Sequence, residues 1–411
     1  MRKPVILGIG AVVVLLAAWL SVAGITFGRN APPKVVLPEA EATPAGNVYD
    51  DYVKCVAGLP PTDKKVIGDF GNRVPLSAET MNTLVGRNAS LLSDFHRLPG
   101  KPSMVTQLEP GAKFTPAQEF PLLNWLVGIE AETLRAKNDP ARALHALLDG
   151  LTFSEDVLRG GATLHLGTTL MAQLPIAYRL PTLLPHLPAP VCEQGAERVK
   201  GLIAAQYPLK KILENERLVR VRQMIRTTEP NATRVLRLQV PTSETEWQQL
   251  LTPKAQAILD VNDYLRKWSE QADKPLDAMT APALPESSKI LTNDSNLEPG
   301  SFGGHPYRYR YKAARLHLMY AGLRLEAAKK RSGRYPATLA ELGNDPLLND
   351  PFTGKPLMYR REGSGFVLYS AGMNLKDDGN APEISLRSMG PGSACDISFT
   401  PHFAVPARGR S

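Results

Sequence analysis

The side chains able to do chemistry are scattered along the 411 residues of this chain. Its seven histidines (His96, His145, His165, His186, His305, His317 and His402) lie at least 12 residues apart. No two therefore share the one-turn spacing that puts metal ligands on one helix face. A lone histidine in an apolar helix, as at His145 or His165, reads as a hydrogen-bonded core residue. Glu130 and Glu132 diverge by ~200° on a helix, too far to work as a carboxylate pair. Gly363-Ser364-Gly365 lacks the outer frame of a nucleophile elbow, and neither a P-loop nor an H-E-x-x-H motif occurs. Cys55, Cys192 and Cys395 are too few for a disulfide framework and too dispersed for a structural zinc. One disulfide with a thiol left over and three buried thiols both fit, and the pairing stays open. The dense acidic turn Lys376-Asp377-Asp378-Gly379 reads, by itself, as a polar turn. A site assembled from distant residues is invisible to spacing.

The elements that would position such groups are mainly helical. Hydrophobic residues make up 43% and charged residues 21%, which excludes wholesale disorder. The length predicts two domains plus an anchor. Thirty-six prolines, against a usual ~5%, predict short helices punctuated by proline and proline-rich linkers. Lys and Arg number 48 against 40 Asp and Glu, a net charge of +8. Much of that charge sits in two runs, Arg198 to Arg237 and His305 to Tyr335, the second holding nine cations against Glu326 alone. The plain reading of these runs is a solvated helix face; an anionic lipid surface or acidic partner is the other. Nucleic acid is not expected as a partner.

Taken in order, Val5 to Phe27 gives 23 residues without a charge, ~34 Å as a helix and enough to cross a ~30 Å hydrocarbon core. A cleavable signal peptide ending near Ser21-Val22-Ala23 and an uncleaved anchor both fit. Continuation through Ile25-Thr26-Phe27 favours an anchor over residues 1–28, with Arg2 and Lys3 on the cytoplasmic side. The expected location is the inner (cytoplasmic) membrane, single-pass, with the bulk of the chain in the periplasm. Residues 29–46 read as a linker. Residues 47–272 read as a helical bundle. Within it, Ser77 opens a helix to about Arg97, and Thr115-Pro116 opens another that Asn138-Asp139-Pro140 stops. A partner helix, Pro140 to Leu158, makes this a tetratricopeptide-like hairpin without a clean 34-residue period. Residues 273–304, rich in Pro, Gly and Ser, read as a second linker, 305–400 as an α+β domain and 401–411 as a tail.

The last domain carries a family resemblance. A basic amphipathic helix, Lys312 to Arg331, ends at Gly333-Arg334-Tyr335-Pro336. Then come Asp350-Pro351-Phe352-Thr353-Gly354-Lys355-Pro356-Leu357-Met358-Tyr359, the strand Phe366–Ser370, the loop Gly372 to Gly379, and Asp396-Ile397-Ser398-Phe399. In order and kind these resemble the G-x-Y-P turn, D-P-[WF]-G-x-P-Y-x-Y loop and closing D-I-x-[WF] of the globular head of type II secretion pseudopilins. The resemblance covers residues 307–399. It implies a long helix on a small antiparallel sheet and a calcium loop, a cation that takes six to eight oxygen ligands. By that resemblance Asp377, Asp378 and Asp396 supply carboxylates, with Glu383 an outside candidate and backbone carbonyls near Leu375 completing the shell. In the family the membrane helix begins the long helix, after a G-F-T-L-x-E site. Here the apolar run lies about 285 residues upstream and that site is absent. The whole plan, a bundle between anchor and head, resembles bacterial envelope proteins.

These features predict a membrane-anchored, periplasm-facing, non-enzymatic adaptor or assembly protein. Its partners are unidentified proteins, with a link to a type II secretion or pilus-like system. The alternatives are a periplasmic enzyme with a site in the bundle, and a purely structural spacer. No catalytic residue and no cofactor other than calcium is assigned.

Overall fold

The structure, a computed structural model, describes residues 33–106, 108, 115–228, 254–283, 299–383 and 395–400. Among the described residues the chain is mainly helical, with a small three-stranded antiparallel sheet near its C-terminal end. Four short helices come first: α1 (Tyr49–Ala57), α2 (Pro61–Gly71), α3 (Ala78–Arg87) and α4 (Ala89–Phe95). Longer ones follow: α5 (Thr115–Ala136), α6 (Pro140–Asp156), α7 (Thr163–Leu183), α8 (Ala189–Ala204), α9 (Leu209–Thr228) and α10 (Lys254–Ser269). Helix α11 (Pro299–Ser332) leads to the strands β1 (Met358–Glu362), β2 (Gly365–Ser370) and β3 (Ile397–Ser398).

Local chemistry sets many of these bounds. Ser77 Oγ accepts the Thr80 N–H at 3.1 Å and caps α3. The helix expected from there to Arg97 is instead broken at Asn88, whose side-chain amide donates to buried Asp63 (2.8 Å) and to the Leu84 carbonyl (2.9 Å). Between α5 and α6, Asn138 turns left-handed (φ 62), Asp139 accepts the Arg142 N–H at 3.1 Å, and Pro140 takes the first helical turn. At the end of α11, Gly333 (φ 78) donates its N–H to the Lys329 carbonyl at 2.8 Å, and Pro336 keeps the helix from resuming. Helix α11 begins 13 residues before Lys312. Gly303, Gly304 and Pro306, which argue against a helix from sequence, lie within its first turns.

The two largest apolar clusters meet at α6. Tyr52, Phe95, Phe120 and Phe153 centre the first, with ring centroids 4.7–6.1 Å apart in tilted and edge-to-face pairs. The second runs from Leu144, Leu147 and Leu151 of α6 through α7 and α8 to Leu316, Leu323 and Leu325 of α11, and on to Leu368, Ile397 and Phe399 of the sheet. Helix α11 thus packs along α8 and α7 on one side and under β2 and β3 on the other. In the sheet, Met358 pairs with Tyr369 and Arg361 with Phe366, while Tyr369 pairs with Ser398 across the other edge of β2.

Polar side chains cross this interior in pairs. Helix α6 is their hub. Asn124 on α5 donates to the Gly150 and Ala172 carbonyls (2.8 and 2.7 Å), tying α5 to α6 and α7. Asp156 accepts from Tyr52 at 2.9 Å, and Glu155 accepts from Gln173 at 2.9 Å and from Lys312 of α11 at 2.6 Å. Of the eight cations of α11, read from sequence as a solvated face, two are spent inside, while Lys330 and Arg331 stay exposed. Lys312 and Arg315 are fully buried; Arg315 meets Glu383, the Tyr311 hydroxyl (2.6 Å) and the Ser398 carbonyl (2.7 Å). Lys329 lies 4.5 Å over the Tyr335 ring, and Arg331 pairs with Glu193 at 2.6 Å. All three cysteines are buried free thiols, and burial pushes Cys55 up to about 11 and Cys192 to about 12.

One group of expectations is overturned. No helix among the described residues is long and apolar enough to cross a membrane. The transmembrane helix over 1–28 and the single-pass inner-membrane location with a periplasmic bulk are corrected on that finding; the run 5–27 itself lies outside the described residues. The physical reason lies in how the long helices spend their residues. Helix α11 carries eight Lys and Arg, and α7 carries Arg179, with the apolar faces of both used against neighbouring helices. Of the two linkers, residues 33–41 lie extended with Val35 and Leu37 packed on the α9–α10 cluster, and 284–298 fall outside the described residues, as does the tail.

Candidate functional site

The acidic turn expected to hold calcium is built around a different electrostatic pattern. Asp396 accepts backbone N–H groups, from Asp378 at 3.3 Å and Ala381 at 2.9 Å. Asp377 Oδ1 accepts the Tyr369 hydroxyl (2.8 Å) and the Gly379 N–H (2.9 Å), and Asp378 accepts the Asn374 amide at 2.7 Å. Glu383, the outside candidate, is drawn under the sheet to Arg315. Amide hydrogens therefore converge on the Asp396 carboxylate and hold the turn closed around it. Among the described residues no group of three or more His, Cys, Asp or Glu is arranged to hold a metal ion. Calcium stays an expectation carried by the resemblance alone, and nothing further is derived from it.

A second cluster joins residues too far apart for spacing to reveal. His96, just beyond α4, places Nδ1 2.6 Å from Asp149 of α6 and Nε2 2.8 Å from Glu130 of α5. Asp149 also accepts from Arg198 of α8 at 2.5 Å, and Arg198 reaches Thr152 at 3.1 Å. Burial works against a charged imidazole here, but the hydrogen bonds to Asp149 and Glu130 and their charges outweigh it, raising His96 to about 9. An imidazolium donating from both nitrogens has no lone pair for a proton or a metal. The cluster is a structural clamp of alternating charge across four helices.

The clamp carries a pH dependence of defined sign. The unfolded imidazole titrates near 6.5 and the folded one near 9. The stabilisation is therefore complete below pH 6.5 and is lost as pH rises through 9. At that shift, discounted for partial exposure, it amounts to about 2–3 kcal/mol. Denaturant titrations between pH 6 and 10 should show this loss in the native chain, and His96→Gln should flatten it. Parallel curves for the two proteins would refute the clamp.

A row of aromatic rings, buried at Phe70 and half-buried at Trp125 and Tyr178, lies between the end of α2, the 72–77 loop, α5 and α7. Phe70 ends the apolar face of α2. Trp125 and Glu132 stand two turns apart on one face of α5, and Tyr178 and Arg179 come from α7. The indole of Trp125 lies edge-on to Phe70 (centroids 6.0 Å, 87°) and stacks on Tyr178 (6.1 Å, 25°). Gly71 permits this: a Cβ there would sit 2.9 Å from Trp125 Nε1. An arginine caps each end of the row. Arg179 Cζ is 4.6 Å over the Phe70 ring; Arg73 Cζ is 5.8 Å over Tyr178, and its Nη2 donates to the Tyr178 hydroxyl at 3.2 Å. Arg73 also takes a left-handed backbone (φ 67), uncommon for a residue with a β-carbon.

Together with Val74, Leu76 and Met81 these residues line an open groove of about 630 Å³. Val74 is half exposed, so the apolar wall is reachable from solvent. Glu132 is held by both branches of Arg135 (3.2 Å each). Burial lowers the Arg179 pKa, partly countered by Glu132. The groove offers stacked π-faces, an apolar wall, two guanidinium groups and the Glu132 carboxylate, which Arg135 spans. Spacing gave no hint of it, because its rings come from three helices and its other walls from the loop that follows the first. The nearest signal was Trp125 beside the apolar stripe of its helix.

No family model, no curated protein and no solved structure matches the chain. The pseudopilin-like reading of residues 307–399 thus stands on motif order alone; the type II secretion assignment has no family evidence behind it and is corrected, and no secretion system enters the function below.

Proposed function

We propose that this chain is a non-enzymatic docking protein whose helical module takes a segment of a partner polypeptide into the Phe70–Trp125–Tyr178 groove. The observation that carries this reading is a row of three rings between two arginines, in which Trp125 and Tyr178 stand partly open to solvent against a buried Phe70. Tryptophan, tyrosine and arginine are the residue types that dominate binding energy at protein interfaces. Grooves between packed helices commonly receive peptide segments, and an open trough suits a chain passing through it. The one histidine–carboxylate cluster described above has its lone pairs occupied, which disfavours the enzyme alternative.

The test is selection of a phage-displayed library of twelve-residue peptides on the immobilised full chain. Enrichment of sequences with an aromatic or large apolar residue is expected, with binding of the selected peptides lost in Trp125→Ala. Truncation of an interface tryptophan of this kind costs about 2 kcal/mol or more, roughly thirtyfold in Kd. Selection that proceeds equally well on Trp125→Ala would remove the groove from the function.

A further inference from the structure

We infer that the segment docked in this groove is acidic, and that Arg179 is the residue that reads its carboxylate. This rests on the docking reading above and adds the chemistry of the ligand. Among the described residues the Arg179 guanidinium makes no hydrogen bond and no ion pair; its contact is the face of Phe70. Its Nε is buried without an acceptor. The acidic side chain nearest in the groove wall, Glu132, is already spanned by Arg135.

Arg308 and Arg217 are also drawn from water without a carboxylate partner, but of these guanidinium groups only Arg179 lines the groove. Lys312, Arg315 and Arg198 are also withdrawn from water, and each meets a carboxylate: Glu155, Glu383 and Asp149. A half-withdrawn guanidinium with open donors is costly unless a partner supplies the acceptor. The planar fork matches a carboxylate, and its stacking on Phe70 fixes it before the ligand arrives, so little side-chain freedom is lost on binding. Arg73 at the other end adds positive potential but is already bonded to the Tyr178 hydroxyl. The groove therefore combines an apolar and aromatic body with one reader of negative charge. An acidic segment carrying an aromatic or large apolar residue is its complement.

The experiment compares the tightest library-selected peptide containing Glu with its twin in which every Glu is replaced by Gln. Affinities are measured by titration calorimetry on the full chain and on Arg179→Gln, Arg179→Lys, Arg73→Gln and Trp125→Ala. The native chain should prefer the acidic twin by roughly tenfold or more, the effect of one charge-assisted hydrogen bond. Arg179→Gln should bind both twins alike, Arg179→Lys should keep part of the preference, and Arg73→Gln most of it. Equal binding of the twins by the native chain, selection of peptides without acidic residues, or a preference abolished by Arg73→Gln and kept in Arg179→Gln would each overturn the assignment. In those cases loss of all binding in Trp125→Ala still upholds the docking reading. Selection of no peptide at all would overturn both.

Discussion

Lys312→Met lowers the folding stability of this protein by about 3–5 kcal/mol, the effect of leaving one member of a buried ion pair without the other. Lys312 is wholly buried beneath α6, with its Nζ 2.6 Å from Glu155. Burial lowers its pKa, opposed by the Glu155 carboxylate, and its Nζ also lies 5.1 Å from the Tyr309 ring centroid. Removing the lysine strands the carboxylate with Gln173 as its remaining donor. Adding Glu155→Gln takes the stranded charge away and keeps an oxygen for Gln173. The double variant should therefore recover much of the loss, with a coupling of roughly 1–3 kcal/mol. Chemical denaturation of the four proteins of the cycle measures it. Additive effects of the two substitutions would show that the pair does not fasten α11 to the bundle.

Phe153→Ala costs about 3–5 kcal/mol by the removal of a fully enclosed ring. Its consequence is regional. Phe153 lies at the far face of α6 from α11, within 4.7 Å of Tyr52 and 5.3 and 5.5 Å of Phe95 and Phe120, centroid to centroid. These rings belong to α1, α4 and α5, so the cavity opens in the N-terminal cluster, while the cluster around α11 keeps its packing. Hydrogen exchange should accelerate first in α1 and α4 and leave α11 protected. Uniform acceleration across both would mean that the two clusters unfold as one unit, and the description of α6 as a junction would fall.

These two effects explain which parts of the molecule were legible in advance. Helix ends governed by a local bond were readable: Ser77, Asn138-Asp139-Pro140 and Gly333 act within four residues of themselves, and each stands where its type indicates. The break at Asn88 was not, because its amide is drawn to Asp63, 25 residues away. The start of α11 was missed for a related reason. Gly303, Gly304 and Pro306 are weak helix formers, yet they precede a helix whose faces are covered by α7, α8 and the sheet, and packing outweighs propensity of that size.

The charged run of α11 shows the same limit in electrostatics. Nine cations against one acid between His305 and Tyr335 look like a surface, since solvation is the cheapest state for a charge with no local partner. The partners of Lys312 and Arg315 lie 157 and 68 residues away. The acidic turn shows that limit from the other side. Asp377, Asp378 and Asp396 have the right type for calcium, but the direction of the surrounding amides, which only the folded loop sets, makes Asp396 an acceptor of N–H groups.

By itself the sequence determined what depends on neighbours along the chain: a mainly helical architecture, the α5–α6 hairpin, the stop of the long helix and the short strands after it. The tertiary structure alone decided what depends on neighbours in space. It put cations inside against carboxylates, clamped His96 between two helices, and aligned Phe70, Trp125 and Tyr178 into one groove between two arginines. Backbone bonds and caps form over a few residues, whereas burial, charge pairing and ring stacking are settled by whichever segments the fold brings within a few ångströms.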